Sequence, residues 1–250
     1  MAKTFEALMR AAKDNQIRPE ESMVFDLKPP RPSILIGAAD FKLSPQIIEE
    51  YHRMKHTMLS SNPKKIKTVL FSSSTEGEGT STVLINFATT LASEGSKVLL
   101  VDANLRNPSL HSLFNLEKKN GLTDLLLGKS TLEGVIKKTQ TNNLSVITSG
   151  IPHSVPFSLY ESNSLDSLIE EMKAQFDWVL FDSPPINSYN DSSALAAKMD
   201  GVIMVVQAEK TRWEVAQSAK QRIENDKVKI LGAVLNKRKM YIPEWAYKRL

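Results

Sequence analysis

No cysteine occurs among the 250 residues, which excludes disulfides and cysteine-ligated zinc and fits a reducing cytosol. Histidine is scarce too, and His52, His56, His111 and His153 stand at no metal-ligand spacing. No apolar run approaches the ~20 residues of a membrane-spanning helix. The opening segment Met1-Ala2-Lys3-Thr4-Phe5-Glu6-Ala7-Leu8 has no long apolar core either. A cytoplasmic protein is the expectation. Internal repeats and low-complexity tracts are also lacking. What is present, 41% hydrophobic and 24% charged residues, is the composition of a chain that buries a full core. The net charge is +4, with part of the excess in Lys237-Arg238-Lys239 and Lys248-Arg249, which read as a solvated basic tail, with docking onto an acidic partner or anionic lipid as the alternative.

Residues 3 to 14 place Phe5, Leu8, Met9 and Ala12 at helical spacing, so a short amphipathic helix is predicted there. Pro29, Pro30 and Pro32 then favour extended backbone, and residues 15 to 43 read as a linker. Ser44-Pro45 supplies an N-cap and first turn for a helix whose Ile47, Ile48, Tyr51, Met58 and Leu59 share a face. Strands follow at 67–74, 97–103, 143–149, 177–183, 201–208 and 228–236. Between them come helices at 81–94, 163–175, 191–199 and 211–225, with helical turns within 121–139. The domain division is 1–43 for the N-terminal helix and linker, 44–237 for the main domain, and 238–250 for a basic, aromatic tail. Val98-Leu99-Leu100-Val101, Val179-Leu180-Phe181 and Val202-Ile203-Met204-Val205-Val206 are continuously apolar. Strands of that kind are covered on both faces, so the class is α/β with a mostly parallel, doubly wound sheet between helices.

The glycine-rich turn Ser74-Thr75-Glu76-Gly77-Glu78-Gly79-Thr80-Ser81-Thr82 lies between an apolar strand and a helix-forming run, as a phosphate-binding loop does. In such a loop, backbone N–H groups and the positive end of the next helix hold phosphate oxygens. Gly77 and Gly79 supply the backbone freedom, and Glu78, Thr80, Ser81 and Thr82 complete the phosphate-binding stretch. The cationic lysine is missing, because Thr80 stands in its place. Two further strands end in aspartate, at Asp102 within Val101-Asp102-Ala103-Asn104-Leu105-Arg106 and at Asp182 within Phe181-Asp182-Ser183-Pro184-Pro185. A carboxylate at the C-terminal end of a parallel strand points into the crevice where such sheets bind ligands. It is suited to hold magnesium there.

In this order the three segments resemble the bacterial tyrosine kinases of capsule and exopolysaccharide systems, relatives of the MinD and ParA P-loop ATPases. The resemblance covers residues 44 to 237. It implies a P-loop nucleotide site for ATP or ADP, with magnesium held by Ser81, Asp102 and Asp182, and with Asp102 and Asp182 as the catalytic pair in an active member. It also implies self-association through a Glu-x-x-Arg-x-x-Arg motif, here Glu50, Arg53 and His56, so the last arginine is absent. The implied partner is the cytoplasmic segment of an inner-membrane polysaccharide chain-length regulator, which would place the protein peripherally at that membrane. Family members phosphorylate C-terminal tyrosines, and only Tyr241 and Tyr247 lie in this tail.

Thr80 removes the cation from the loop, and Asn104 replaces the second aspartate of the Asp-x-Asp pattern. Losing one preorganised donor costs on the order of 10²–10³ in rate, and phosphoryl transfer depends mainly on such electrostatic positioning. The first reading is therefore a catalytically impaired, nucleotide-binding regulator or adaptor. The alternative is an active tyrosine autokinase that transfers phosphate from ATP to Tyr241 or Tyr247. A partitioning ATPase working on DNA is a third reading, and nucleic acid is not expected because no basic cluster stands outside the tail.

Overall fold

The computed structural model describes residues 43–60, 66–151, 160 and 163–238. The amphipathic helix at 3–14, most of the linker, His153, and the tail from 239 onward with Tyr241, Trp245 and Tyr247 lie outside the described residues. The chain opens on α1 (Pro45–Ser60), where Ser44 Oγ accepts the Ile47 N–H at 3.4 Å as an N-cap does. It continues through β1 (Thr68–Ser73), α2 (Thr80–Ser93), β2 (Val98–Asp102) and the short α3 (Leu110–Leu113), α4 (Leu122–Leu126) and α5 (Leu132–Val135). Then come β3 (Lys137–Lys138), β4 (Leu144–Ile147), α6 (Asn163–Gln175), β5 (Trp178–Asp182) and α7 (Asn190–Ala196). The last elements are β6 (Gly201–Gln207), α8 (Trp213–Asn225) and β7 (Ile230–Asn236).

The strands form one sheet in the order β3-β4-β2-β5-β1-β6-β7. All pairings are parallel except the edge pair β3 with β4. Successive side chains alternate between two cores, as strand periodicity requires. Val69, Phe71, Leu100, Leu180 and Ile203 face the α1–α2 layer, whereas Leu70, Val101, Phe181 and Met204 face α6, α7 and α8. Both faces are buried, which is why these strands are apolar without alternation. On the α2 side, Phe87 packs against Phe71, Trp178 and Tyr51 with ring centroids 5.9, 6.1 and 6.2 Å away.

Two elements depart from the sequence reading, and most boundaries move by one to three residues. The helix α3 and the edge strand β3 were not expected. Strand β1 stops before Ser74 because the Ser74 N–H turns to Glu78 rather than to a neighbouring strand. Helix α8 starts at Trp213 rather than 211, because Thr211 donates to the Glu78 carboxylate and Arg212 is the extended N-cap residue.

Candidate functional site

The loop leaving β1 turns on two residues with positive φ, Gly77 at 79° and Gly79 at 92°. Gly79 is the N-cap of α2, and no side chain caps that helix. A Cβ at Gly79 would collide with Asn236 Nδ2, so glycine is required there for space as well as for φ. The uncapped N–H groups at the start of a 14-residue helix suit an anionic oxygen.

Glu78 sits inside this turn at 2% exposure. Its carboxylate accepts the N–H of Ser74 at 2.7 Å and of Thr75 at 3.0 Å, both at Oε2, while Oε1 accepts the N–H of Gln207 at 3.3 Å. The hydroxyls of Ser74 and Thr211 donate to it as well. The side chain therefore ties the loop to itself and to the end of β6. On the outer side, Asn236 Nδ2 donates to Glu78 O at 2.8 Å and Lys237 Nζ donates to Gly77 O at 2.6 Å. Lys237, the last residue of the expected main domain, thus bonds to the loop, although its charge was counted with the basic tail.

Asp102 and Asp182 are register partners at the ends of the adjacent strands β2 and β5, and both are fully buried. Asp182 Oδ2 accepts from Ser81 Oγ at 2.5 Å, and Ser109 Oγ donates to Ser81 Oγ at 3.0 Å. Asp102 Oδ2 accepts the N–H of Ser109 and Leu110 at 3.1 and 3.0 Å, so this carboxylate also starts α3. The second oxygens, Asp102 Oδ1 and Asp182 Oδ1, are buried without a hydrogen-bond partner. Burial pushes the Asp182 carboxyl up to about 8, and the neighbouring Asp102 charge adds to the rise. Burial likewise pushes Asp102 up to about 7 against the opposing Leu110 and Ser109 N–H groups.

Two orphaned carboxylate oxygens beside a serine hydroxyl form a hard-oxygen set that fits magnesium. No group of three or more His, Cys, Asp or Glu side chains occurs among the described residues. Two carboxylates with the rest of the shell from water and phosphate is the usual magnesium arrangement. The loop amides fit phosphate, but Thr80 offers a neutral hydroxyl where the nucleotide chemistry calls for an ammonium.

The fold brings together Gly77, Gly79, Thr80, Ser81, Asp102 and Asp182, with Thr82 exposed on the first turn of α2. The side chain of Glu78 points away from that set, into its own latch. Asn104 Oδ1 is occupied by the Asn107 N–H at 3.1 Å. Arg106 pairs with Asp191 at 3.1 Å and lies 4.9 Å over the Tyr189 ring. Glu50 and Arg53 are on the exposed side of α1, remote in sequence from the loop, with Arg53 bonded to Glu50 at 3.0 Å and to Glu49 at 2.7 Å. Sequence reasoning missed Ser109, Gln207, Thr211 and Asn236. Asn236-Lys237 at the end of the last strand was the one readable signal among them.

Residues 66–230 match the AAA domain family. The chain is 37% identical over 193 residues to the tyrosine-protein kinase YwqD of Bacillus subtilis, covering 77% of this chain and 81% of that one. The crystal structure of the chimerical protein CapA2B2 superposes with a TM-score of 0.76 at 30% identity, covering 81% of this chain and 89% of that one. The septum site-determining protein MinD of Pyrococcus horikoshii, complexed with Mg-ADP, shares the fold at a TM-score of 0.57 and 23% identity, covering 73% and 76% of the two chains. With its loop and both strand-end aspartates set on this sheet, the chain belongs to the bacterial tyrosine-protein kinase family of P-loop ATPases.

Proposed function

We propose that this chain is a catalytically impaired, nucleotide-binding regulator in capsule or exopolysaccharide biosynthesis, acting as an adaptor for a membrane chain-length determinant. The carrying observation is Thr80: the loop is otherwise formed, and the residue that would neutralise phosphate charge has none to give. Asn104 supports the reading, since its amide oxygen is spent on Asn107 instead of serving a metal or a base. ADP or ATP would lie on the N–H groups of residues 77–82, with magnesium on Ser81, Asp102 and Asp182. Bound there, magnesium would neutralise charge on the phosphates. The protein would work in the cytoplasm, held at the inner membrane by its partner. No helix among the described residues is long and apolar enough to cross a membrane. Self-association through Glu50 and Arg53 would be weakened, because His56 stands where the family motif has arginine.

A second reading, an active autokinase modifying Tyr241 or Tyr247, is favoured by Ser81, Asp102 and Asp182 standing together. Incubation with labelled ATP and magnesium separates the two, using the native chain, Thr80→Lys and Thr80→Lys with Asn104→Asp. The regulator reading expects no phosphotyrosine on the native chain and a gain of at least about 10²-fold in the double variant. A native rate equal to that of the double variant would overturn it.

A further inference from the structure

We propose that the loop selects its nucleotide by charge, binding a magnesium-bound nucleoside diphosphate in preference to the triphosphate. The proposal rests on the nucleotide-binding reading above and names the ligand class of that site. Residues 74–82 hold two carboxylates, Glu76 and Glu78, and no cation. What attracts phosphate is the set of uncapped N–H groups opening α2, a partial charge of roughly half a unit that fades within the first turn. Such a field serves one phosphate group well and a further one poorly.

Four cations near the loop and the aspartate pair are placed elsewhere. Lys237 Nζ is bound to the outward carbonyl of Gly77 at 2.6 Å and to Gln207 Oε1 at 3.4 Å. Arg106 is held by Asp191 and Tyr189. Lys210 and Arg212 line a cleft of about 220 Å³ with Thr75, Glu76, Glu78 and Val215. None of Gly79, Thr80, Ser81, Asp102 or Asp182 lines that cleft, so these two cations serve the back of the loop. Lys118, whose charge acts on Asp102, stands toward the aspartate pair and is not part of the loop. The same magnesium accompanies either ligand, so a triphosphate still brings one more negative charge than a diphosphate to a loop that has only neutral donors and exposed Glu76 to meet it. The Glu78 latch and Asn236 tie the loop to the ends of β6 and β7, so the fold sets the N–H groups that would meet a ligand.

Calorimetry with ADP and with the non-hydrolysable β,γ-imido triphosphate, both with magnesium, tests this on the native full chain. The diphosphate is expected to bind more tightly by about tenfold or more, as an unneutralised unit charge near a protein surface implies. Thr80→Lys should raise triphosphate affinity more than diphosphate affinity and close the gap. Glu76→Gln, an exposed change with no role in the latch, should narrow it without altering thermal stability. A native chain that binds the triphosphate equally well or better overturns charge selection and leaves nucleotide binding standing. Equal gains for both ligands in Thr80→Lys also overturn it. If neither ligand binds at millimolar concentration, the nucleotide reading fails and this proposal falls with it.

Discussion

Glu78 places a buried carboxylate where three backbone N–H groups and two hydroxyls converge, and its removal leaves those groups without acceptors. Each buried donor stranded in this way costs about 1–3 kcal/mol. Glu78→Ala is expected to lose about 3 kcal/mol, read as a lower urea midpoint with an unchanged m-value, and to lose nucleotide binding with it. Glu78→Gln, which keeps an acceptor oxygen, should recover part of both. A fall below about 0.5 kcal/mol in Glu78→Ala would show the latch to be dispensable. At this scale the missing lysine was legible, because the spacing of Gly77, Gly79 and Ser81 fixes where it belongs. The latch was not legible, since Gln207 and Thr211 lie 129 and 133 residues further along the chain. Nothing local distinguishes a glutamate that binds its own loop from one that is solvated.

The helix α2 carries both the loop and one of the two cores, so its packing sets how firmly the phosphate-binding N–H groups are held. Phe87 is the centre of that contact, fully buried between Phe71, Trp178 and Tyr51. Phe87→Ala should cost about 3–5 kcal/mol through lost burial and the cavity left behind. Phe87→Leu should cost less, and a difference below about 1 kcal/mol between the two variants in denaturant unfolding would place the packing elsewhere. The long parallel strands could be read directly, because burial on both faces makes them continuously apolar. Strand β3 could not, being two lysines on an antiparallel edge. Helix α3 could not either: its four residues are started by the carboxylate of Asp102, which ends β2 seven residues before the N-cap Ser109, and no local pattern marks that turn.

For the whole molecule, the buried aspartate pair makes stability depend on pH in a direction opposite to that of salt-bridged carboxylates. Both strand-end aspartates were readable from the sequence, whereas their adjacency required the strand order that sets β2 beside β5. Burial raises Asp182 to about 8 and Asp102 to about 7, whereas unfolded aspartate titrates near 3.9. Between about pH 4 and pH 8 the native state therefore holds more protons than the unfolded chain. Linkage then requires stability to fall as pH rises through that window. Without metal, the melting temperature should be higher at pH 6 than at pH 8.5, and Asp182→Asn should flatten the dependence while raising stability at the upper end. Magnesium competes with protons for the unpartnered Oδ1 atoms of Asp102 and Asp182. The stabilisation by millimolar magnesium should accordingly grow from pH 6 to pH 8.5 in the native chain and disappear in Asp182→Asn. Differential scanning calorimetry at the two pH values, with magnesium or with a chelator, reads all four quantities. A metal-free melting temperature that rises with pH would show that the pair is ionised and compensated in the native state, and that the metal has no vacant oxygens to claim.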